Sequence, residues 1–382
     1  MIRFLTAGES HGPALTTIVE GAPAGLPVDT EGLAEELARR RLGHGRGPRM
    51  RLEKDEIEIL GGVRFGRTLG GPISVIIRNT EWARWSEEMS PAEGESRKVM
   101  TSPRPGHADL PGMLKYQTHD ARDILERASA RETAARTVAG YVAKVLLAEV
   151  GVTVLSHVVQ IGNVRSDAGI PERGGLVAID ASPVRCGDPV GEAAMIEAVD
   201  VAKRARDTLG GVVEVVVYDM PAGIGSHVHW DRKLDTVLAA GLMSIQGIKG
   251  VEIGDGFASA GRPGSEAHDE IFPGDAAFER ETNRAGGIEG GISNGSVIRV
   301  RAAMKPISTL MRPLATVDVT TGEVSVAFRE RSDVCAVPAA GVVAEQMVAF
   351  GLAREMQRVY GGDSVEAFVE ADAAHRHRLS EF

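Results

Sequence analysis

Little aromatic material is available to build a core: nine Phe, four Tyr and three Trp in 382 residues. Packing must come from Val, Leu, Ile and Ala, within a 43% hydrophobic share that is ample for a globular fold. Cysteine is scarcer still. Cys186 and Cys335 stand far apart without metal-type spacing, which excludes a disulfide framework and fits a reducing compartment. No uncharged apolar run reaches the roughly 18 residues that a membrane span needs. The opening MIRFLTAGESHG lacks the basic-then-apolar order of a signal peptide. The chain therefore reads as soluble and cytoplasmic, with no membrane partner. A formal net charge of −10 also argues against general nucleic-acid binding, which relies on broad phosphate neutralisation.

Against that acidic background, six arginines and no lysine fall between Arg39 and Arg51, RRRLGHGRGPRMR. The guanidinium fork suits carboxylate and phosphate oxygens and stays charged at any working pH. Gly43, Gly45 and Gly47 let backbone approach a ligand. Taken alone, the segment could equally be a solvated basic face.

Strands are expected at 2–6, 14–20, 56–63, 72–78, 152–160, 211–218 and 296–302. Asp29 is a plausible N-cap for a helix carrying Leu33 and Leu37, which runs into Arg39–Arg41 where cations complement the dipole. Further helices are expected near 130–150, 191–209 and 231–245, and from Pro338 to Tyr360, where Gly361 and Gly362 stop the last one. Residues 79–112, with Pro91, Pro103, Pro105 and Pro111 and the motif SPRPGHAD after Trp82 and Trp85, read as a long ordered loop. Strands and helices mix without regular βαβ alternation, which favours α+β over a doubly wound sheet. One domain over 1–362 is expected, followed by a tail, 363–382, that is partly helical or loose.

Several loops place small residues around a charge: GESHG (8–12), SPRPGHAD (102–109), RSDVC (331–335) and ERASARET at the start of the 130–150 helix. A helix N-terminus offers free N–H groups to an anion. An arginine there, such as Arg131, opposes the dipole and needs an anion to compensate it. His11 and His107 are candidate proton donors because imidazole titrates near neutrality, though a lone loop histidine is more often structural. Asp333 is most simply an ion-pair partner of Arg331. His227-x-His229 lacks the carboxylate or cysteine pattern that would complete a metal site, so no metal is expected. GGIEGGISNG (286–295) is no dinucleotide fingerprint.

In series these loops resemble the chorismate synthase family. Gly8–Gly12 with LTTIVEGAP, Ser129–Thr133 with Val138–Tyr141, and Arg331–Asp333 with Glu345 are similar to its three signatures. RPGHAD, MSIQGIKGVEIGDGF (243–257), GGIEGGISNG and Lys305–Thr309 match further family blocks in order, from residue 2 to about 360. The resemblance implies an α+β layered β–α–β sandwich with helices between antiparallel sheets, assembled as a homotetramer. It implies an anti-1,4-elimination of phosphate from 5-enolpyruvylshikimate 3-phosphate to chorismate, the last common step of the shikimate pathway to the aromatic amino acids. Reduced FMN is required without net redox change. No large insertion of the reductase-bearing kind is present, so an external flavin reductant is expected, with NADPH as an indirect source at most.

By the same resemblance Arg40, Arg46, Arg49, Arg104, Arg131 and Arg331 face the substrate, and Arg40 and Arg46 are also assigned to NADP. His11 would protonate the leaving phosphate, His107 would stand near the reduced flavin, and Asp333 beside its N5, with Ser10 and Ser129 orienting these partners. Arg127, Ala128, Ser129, Gln246, Gly247, Gly290, Lys305, Pro306, Ile307, Ser308, Thr309 and Arg331 would hold FMN. The competing readings are an NADPH-dependent flavin oxidoreductase and an RNA-binding module built on the arginine loop.

Overall fold

The computed structural model describes residues 1–47, 55–274, 277–330 and 332–382. Two antiparallel sheets form the outer layers. The first contains β1 (Arg3–Ala7), β2 (Ala14–Glu20), β3 (Glu56–Gly61) and β4 (Ile73–Arg78) in the order β1-β2-β4-β3. Its inner face follows from period-two alternation: Leu15, Thr17 and Val19 lie opposite Ile77, Val75 and Ile73, all buried. The second contains β5 (Thr153–Ile161), β6 (Val164–Arg165), β7 (Gly211–Tyr218), β8 (Ile248–Ile253) and β9 (Ile298–Met304) in the order β8-β9-β7-β5-β6.

Among the described residues eight helices of at least seven residues complete the frame: α1 (Thr30–Arg41), α2 (Asp109–Tyr116), α3 (Arg122–Ala128), α4 (Glu132–Ala148), α5 (Pro189–Arg204), α6 (Leu234–Met243), α7 (Val337–Tyr360) and α8 (Val365–Ser380). Between the sheets, α4 packs on β2 and on α7, and α7 covers β5 and β7. This is the layered β–α–β arrangement, with one aliphatic core running through all its layers. Asp29 caps α1 by accepting from the Gly32 N–H at 2.7 Å.

Of the two alternatives for the tail, the helical one is found: Ser364 caps α8, Phe368 is fully buried against Tyr360, and the Tyr360 hydroxyl donates to Asp372 at 2.9 Å. Its composition left both alternatives open because only a narrow apolar stripe, Val365, Phe368 and Val369, meets the core. The long loop does need correcting, because it ends early. Trp82–Trp85 makes one helical turn, and α2 begins at Asp109, with Pro111 in its first turn where no helical N–H bond is lost.

Helix α7 is buried on nearly every side yet carries Glu345, which has no solvent exposure. Arg39 of α1 donates to both its oxygens at 2.8 and 3.0 Å, Lys144 of α4 donates at 2.6 Å, and Ser156 of β5 at 3.0 Å. Arg185 stands 3.7 Å away. Burial would raise the Glu345 carboxyl, but Lys144, Arg39 and Arg185 overcome it and hold the group well below the usual carboxylate range. Removing one partner of a buried ion cluster costs about 3–5 kcal/mol, so Glu345→Ala should lose stability of that order in urea unfolding. A loss under about 1 kcal/mol would show that the cluster does not depend on this anion.

Candidate functional site

The arginine loop, the GESHG loop, SPRPGHAD, the α3–α4 junction and the segment after β9 open into one cavity of ≈ 460 Å³. Ser10, His11, Arg40, Arg46, Arg104, His107, Ala128, Ser129, Arg131, Gln246, Gly247, Asp333 and all five residues Lys305–Thr309 line it. Arg40, Arg46, Arg104, Arg131 and Lys305 bring five cations to the wall, against the carboxylates of Glu330 and Asp333. The acidic chain thus builds a locally basic cavity.

Not every expected residue arrives there. Arg127 lies outside this lining: its guanidinium donates to the backbone oxygens of Gly8 at 3.2 Å and Thr6 at 2.8 Å, tying α3 to β1. Gly290 sits in a small hairpin joining Ile288–Glu289 to Ile292–Ser293, and is likewise absent from this lining. Arg49 and Arg331 lie outside the described residues, as does the expected Asp333–Arg331 pair. The described partners of Asp333 are Arg46, 2.7 Å away, and the Gly47 N–H, which donates at 2.6 Å.

Behind the cavity wall stand carboxylates that the sequence did not single out. Asp55 is buried among arginines: Arg131 donates to one oxygen, and Arg40 and Arg41 lie 3.9 and 3.7 Å from the other. It is the anion that Arg131, at the N-terminus of α4, needs against the helix dipole. Asp109, fully buried, accepts from the Arg104 backbone N–H at 3.0 Å and from Arg104 Nε at 2.8 Å, and pairs with His107 Nδ1. Arg104 also donates to Thr309 at 2.8 Å and lies over the Phe328 ring. Glu126, on the last turn of α3, holds His11: Nδ1 is 2.9 and 3.1 Å from its two oxygens, and the His11 backbone N–H donates to it at 2.8 Å. Trp85 lies against the His11 ring, centroids 4.2 Å apart and planes tilted by 39°. Ser129 Oγ donates to Ser10 Oγ at 3.2 Å beside them.

Burial would raise Asp109, yet hydrogen bonds from His107 and Arg104 bring it down to about 2. Burial likewise opposes Glu126, and the His11 bonds with the Arg122 charge hold it below its ordinary value. Both carboxylates stay ionised at neutral pH. Only H-x-D in RPGHAD left a local trace of these partners; Glu126 is 115 positions from His11, and Asp55 is 76 from Arg131. On the far side of the Arg46–Asp333 pair lies a second cavity of ≈ 640 Å³, where His44 pairs with Asp200 at 2.8 Å. His229 is exposed and pairs with Asp231. Among the described residues no helix is long and apolar enough to cross a membrane, and no group of three His, Cys, Asp or Glu could hold a metal ion.

A basic, histidine-bearing cavity cut into a β–α–β sandwich has the chemistry of an enzyme site suited to a small polyanion. The chorismate synthase family model matches residues 2–357. Chorismate synthases of Parafrankia sp. (strain EAN1pec) and Salinispora tropica are each 58% identical to this chain, covering 96% of it and 96% of their own length. That of Clavibacter michiganensis subsp. michiganensis is 56% identical over 96% of the chain and 91% of its own. A crystal structure of a chorismate synthase superposes with a TM-score of 0.79 at 39% identity, covering 100% of this chain and 99% of the other. The chain belongs to the chorismate synthase family and is a carbon–oxygen lyase of the shikimate pathway. Membership carries a flavin cofactor and a small-molecule substrate.

Asp109 yields a pH prediction. Its pKa in the fold lies below its unfolded value near 3.9, so its contribution to stability is full above about pH 4 and is lost as pH falls toward about 2. Urea midpoints measured across that window should fall in the wild type and fall less steeply in Asp109→Asn. Parallel profiles would contradict the placement.

Proposed function

We propose that the cavity takes 5-enolpyruvylshikimate 3-phosphate beside reduced FMN and releases chorismate and phosphate by anti-1,4-elimination. The observation that supports this most is the convergence of Arg40, Arg46, Arg104 and Arg131 with His11 and His107 on one cavity. The substrate carries two carboxylates and a phosphate, so it asks for several guanidinium groups at once. Charge-assisted hydrogen bonds contribute about 1.5–3 kcal/mol each, and a handful held rigidly can orient the ring and exclude water.

The wall formed by Ala128, Ser129, Gln246, Gly247 and Lys305–Thr309 suits a flavin with its phosphate. It combines backbone, hydroxyls and an amine with the apolar surface of Met304, Ile307 and Leu125. Gly247 has a φ of +85°, and a Cβ there would come within 3.2 Å of the Met304 methyl, so the backbone lies close to the cavity surface. Ser308 donates to the Gly106 carbonyl at 2.9 Å and Lys305 donates to the same oxygen, joining this wall to the His107 loop. Held by these residues, a reduced flavin would supply transient electron density for the departure of phosphate and of the C6 hydrogen, a position no carbonyl activates.

The protein's own groups position substrate and move the proton. His11 protonates the departing phosphate, whose second pKa near 6 is close to that of imidazole. His107, tied to Asp109 and Arg104, stands at the cofactor side. Asp333 would stand beside flavin N5 and assist the departure of the C6 hydrogen, the Ser10–Ser129 pair orients these partners, and Arg40, Arg46, Arg104 and Arg131 bind the anionic substituents. The protein works in the cytoplasm as a homotetramer, as its family does, and receives reduced FMN from a separate reductant. NADPH serves only indirectly.

An anaerobic assay with enzyme and stoichiometric reduced FMN tests the reading. Many phosphates released per flavin are expected, and one per flavin would instead support an oxidoreductase. His11→Ala should lower turnover by about 10²–10⁴-fold, the usual range for general acid catalysis, with substrate affinity changing less. Loss of affinity at unchanged turnover would make His11 a binding group.

A further inference from the structure

Glu126 presents an arrangement that a carboxylate alone satisfies. Three donors meet its two oxygens: Arg122 Nη1 at 2.6 Å, the His11 backbone N–H at 2.8 Å, and His11 Nδ1 at 2.9 and 3.1 Å. The side chain is 2% exposed, so water does not substitute for any of them. Its pKa is held below the ordinary value, so it is ionised and can only accept. The proton between it and His11 therefore belongs to Nδ1, and a neutral imidazole here has its lone pair on Nε2.

The surroundings hold that geometry from other directions. The Ser10 N–H donates to the Glu126 carbonyl at 3.0 Å, locking the GESHG loop to α3. Trp85 lies against the His11 ring and beneath the Arg122 guanidinium, 4.8 Å from its own ring centre. Arg122 in turn reaches Glu330 at 3.5 Å. Arg122, Glu126 and His11 thus form a cation–carboxylate–imidazole chain that starts behind the cavity and ends in its wall.

We propose that Glu126 is the positioning residue of His11: its carboxylate fixes the proton on Nδ1 and keeps Nε2 as the nitrogen that delivers a proton to substrate. A carboxylate so placed sets tautomer and ring orientation without touching substrate, and stabilises the imidazolium before the proton is transferred. The step balances simply. The C3–O bond breaks with its electron pair going to phosphate, and the Nε2–H proton joins that oxygen. The C6–H electron pair closes the new ring double bond as the old one shifts toward C3, and the C6 proton leaves toward the cofactor side, where a bound reduced flavin would accept it. The imidazole left behind is the Nδ1–H tautomer that Glu126 already accepts from. The inference rests on the reading of His11 as the proton donor.

Glu126→Gln tests it, because an amide offers one acceptor and one donor where three donors converge. Whichever way it turns, its NH₂ opposes either Arg122 or a His11 N–H. Turnover should fall by about 10²–10⁴-fold, with KM and the flavin dissociation constant within a few-fold of wild type. The decisive comparison is the double variant. Adding Glu126→Gln to His11→Ala should cause no further loss of turnover, since a positioning residue acts only through the group it positions. A further loss equal to that in the wild-type background would make Glu126 merely structural and overturn the proposal. If His11→Ala alone left turnover intact, the proton-donor reading itself would fail, a separate outcome. Should Glu126→Gln not fold, wild-type protein labelled with ¹⁵N-histidine decides. Neutral His11, assigned by its absence in His11→Ala, is expected as the Nδ1–H tautomer, and the Nε2–H tautomer would refute the assignment.

Discussion

A carboxylate without access to water must gather its counter-charges from whatever elements pass nearby, and Glu345 does this at the centre of the molecule. Its partners come from α1, α4 and β5, with Arg185 close by, so one anion ties the helical layer to a sheet. Buried ion clusters are weak sources of net stability, because desolvation offsets most of the attraction. What this one supplies is position. Arg39 and Arg40 are consecutive on the last turn of α1, one anchored on Glu345 and the other facing the cavity. The cavity wall is therefore suspended from an ion cluster in the core.

The same principle recurs outward. Asp55 stands behind Arg40 and Arg131, Asp109 behind Arg104 and His107, Glu126 behind His11, and Asp333 beside Arg46. Cations line the cavity with most of their acids behind them, only Glu330 and Asp333 among the described residues sharing the lining. This layering reconciles a net charge of −10 with a cavity suited to a polyanion. It also means the donors are oriented before a ligand enters, so little reorganisation is left for the reaction to supply.

Much of this could be read from the chain before folding. Strands 14–20 and 211–218 match the structure residue for residue, because period-two alternation and β-branched content are local properties. Asp29 as a cap and Gly361 as a stop were equally legible. The 363–382 tail was legible only as an open choice between partly helical and loose, since its helix depends on seating Phe368 against Tyr360 of another element. In the site, the arginines and histidines declared themselves through motif and composition. Their carboxylate partners did not, apart from Asp333, already singled out in RSDVC, and Asp109, two residues after His107.

Residue types, their spacing and the family signatures settle which chemical groups the protein has and what kind of ligand they suit, since a guanidinium or an imidazole carries its chemistry wherever it stands. Pairing is another matter. Glu126 reaches His11 across 115 positions and Asp55 reaches Arg131 across 76, distances at which local pattern carries no information about contact. Arg127 shows the converse: next to Ala128 in a cofactor-like motif, it turns to the β1 backbone because α3 directs it there. Which nitrogen of His11 bears the proton, and which arginines face inward, depend on angles and burial that exist only after the sheets close over α4 and α7.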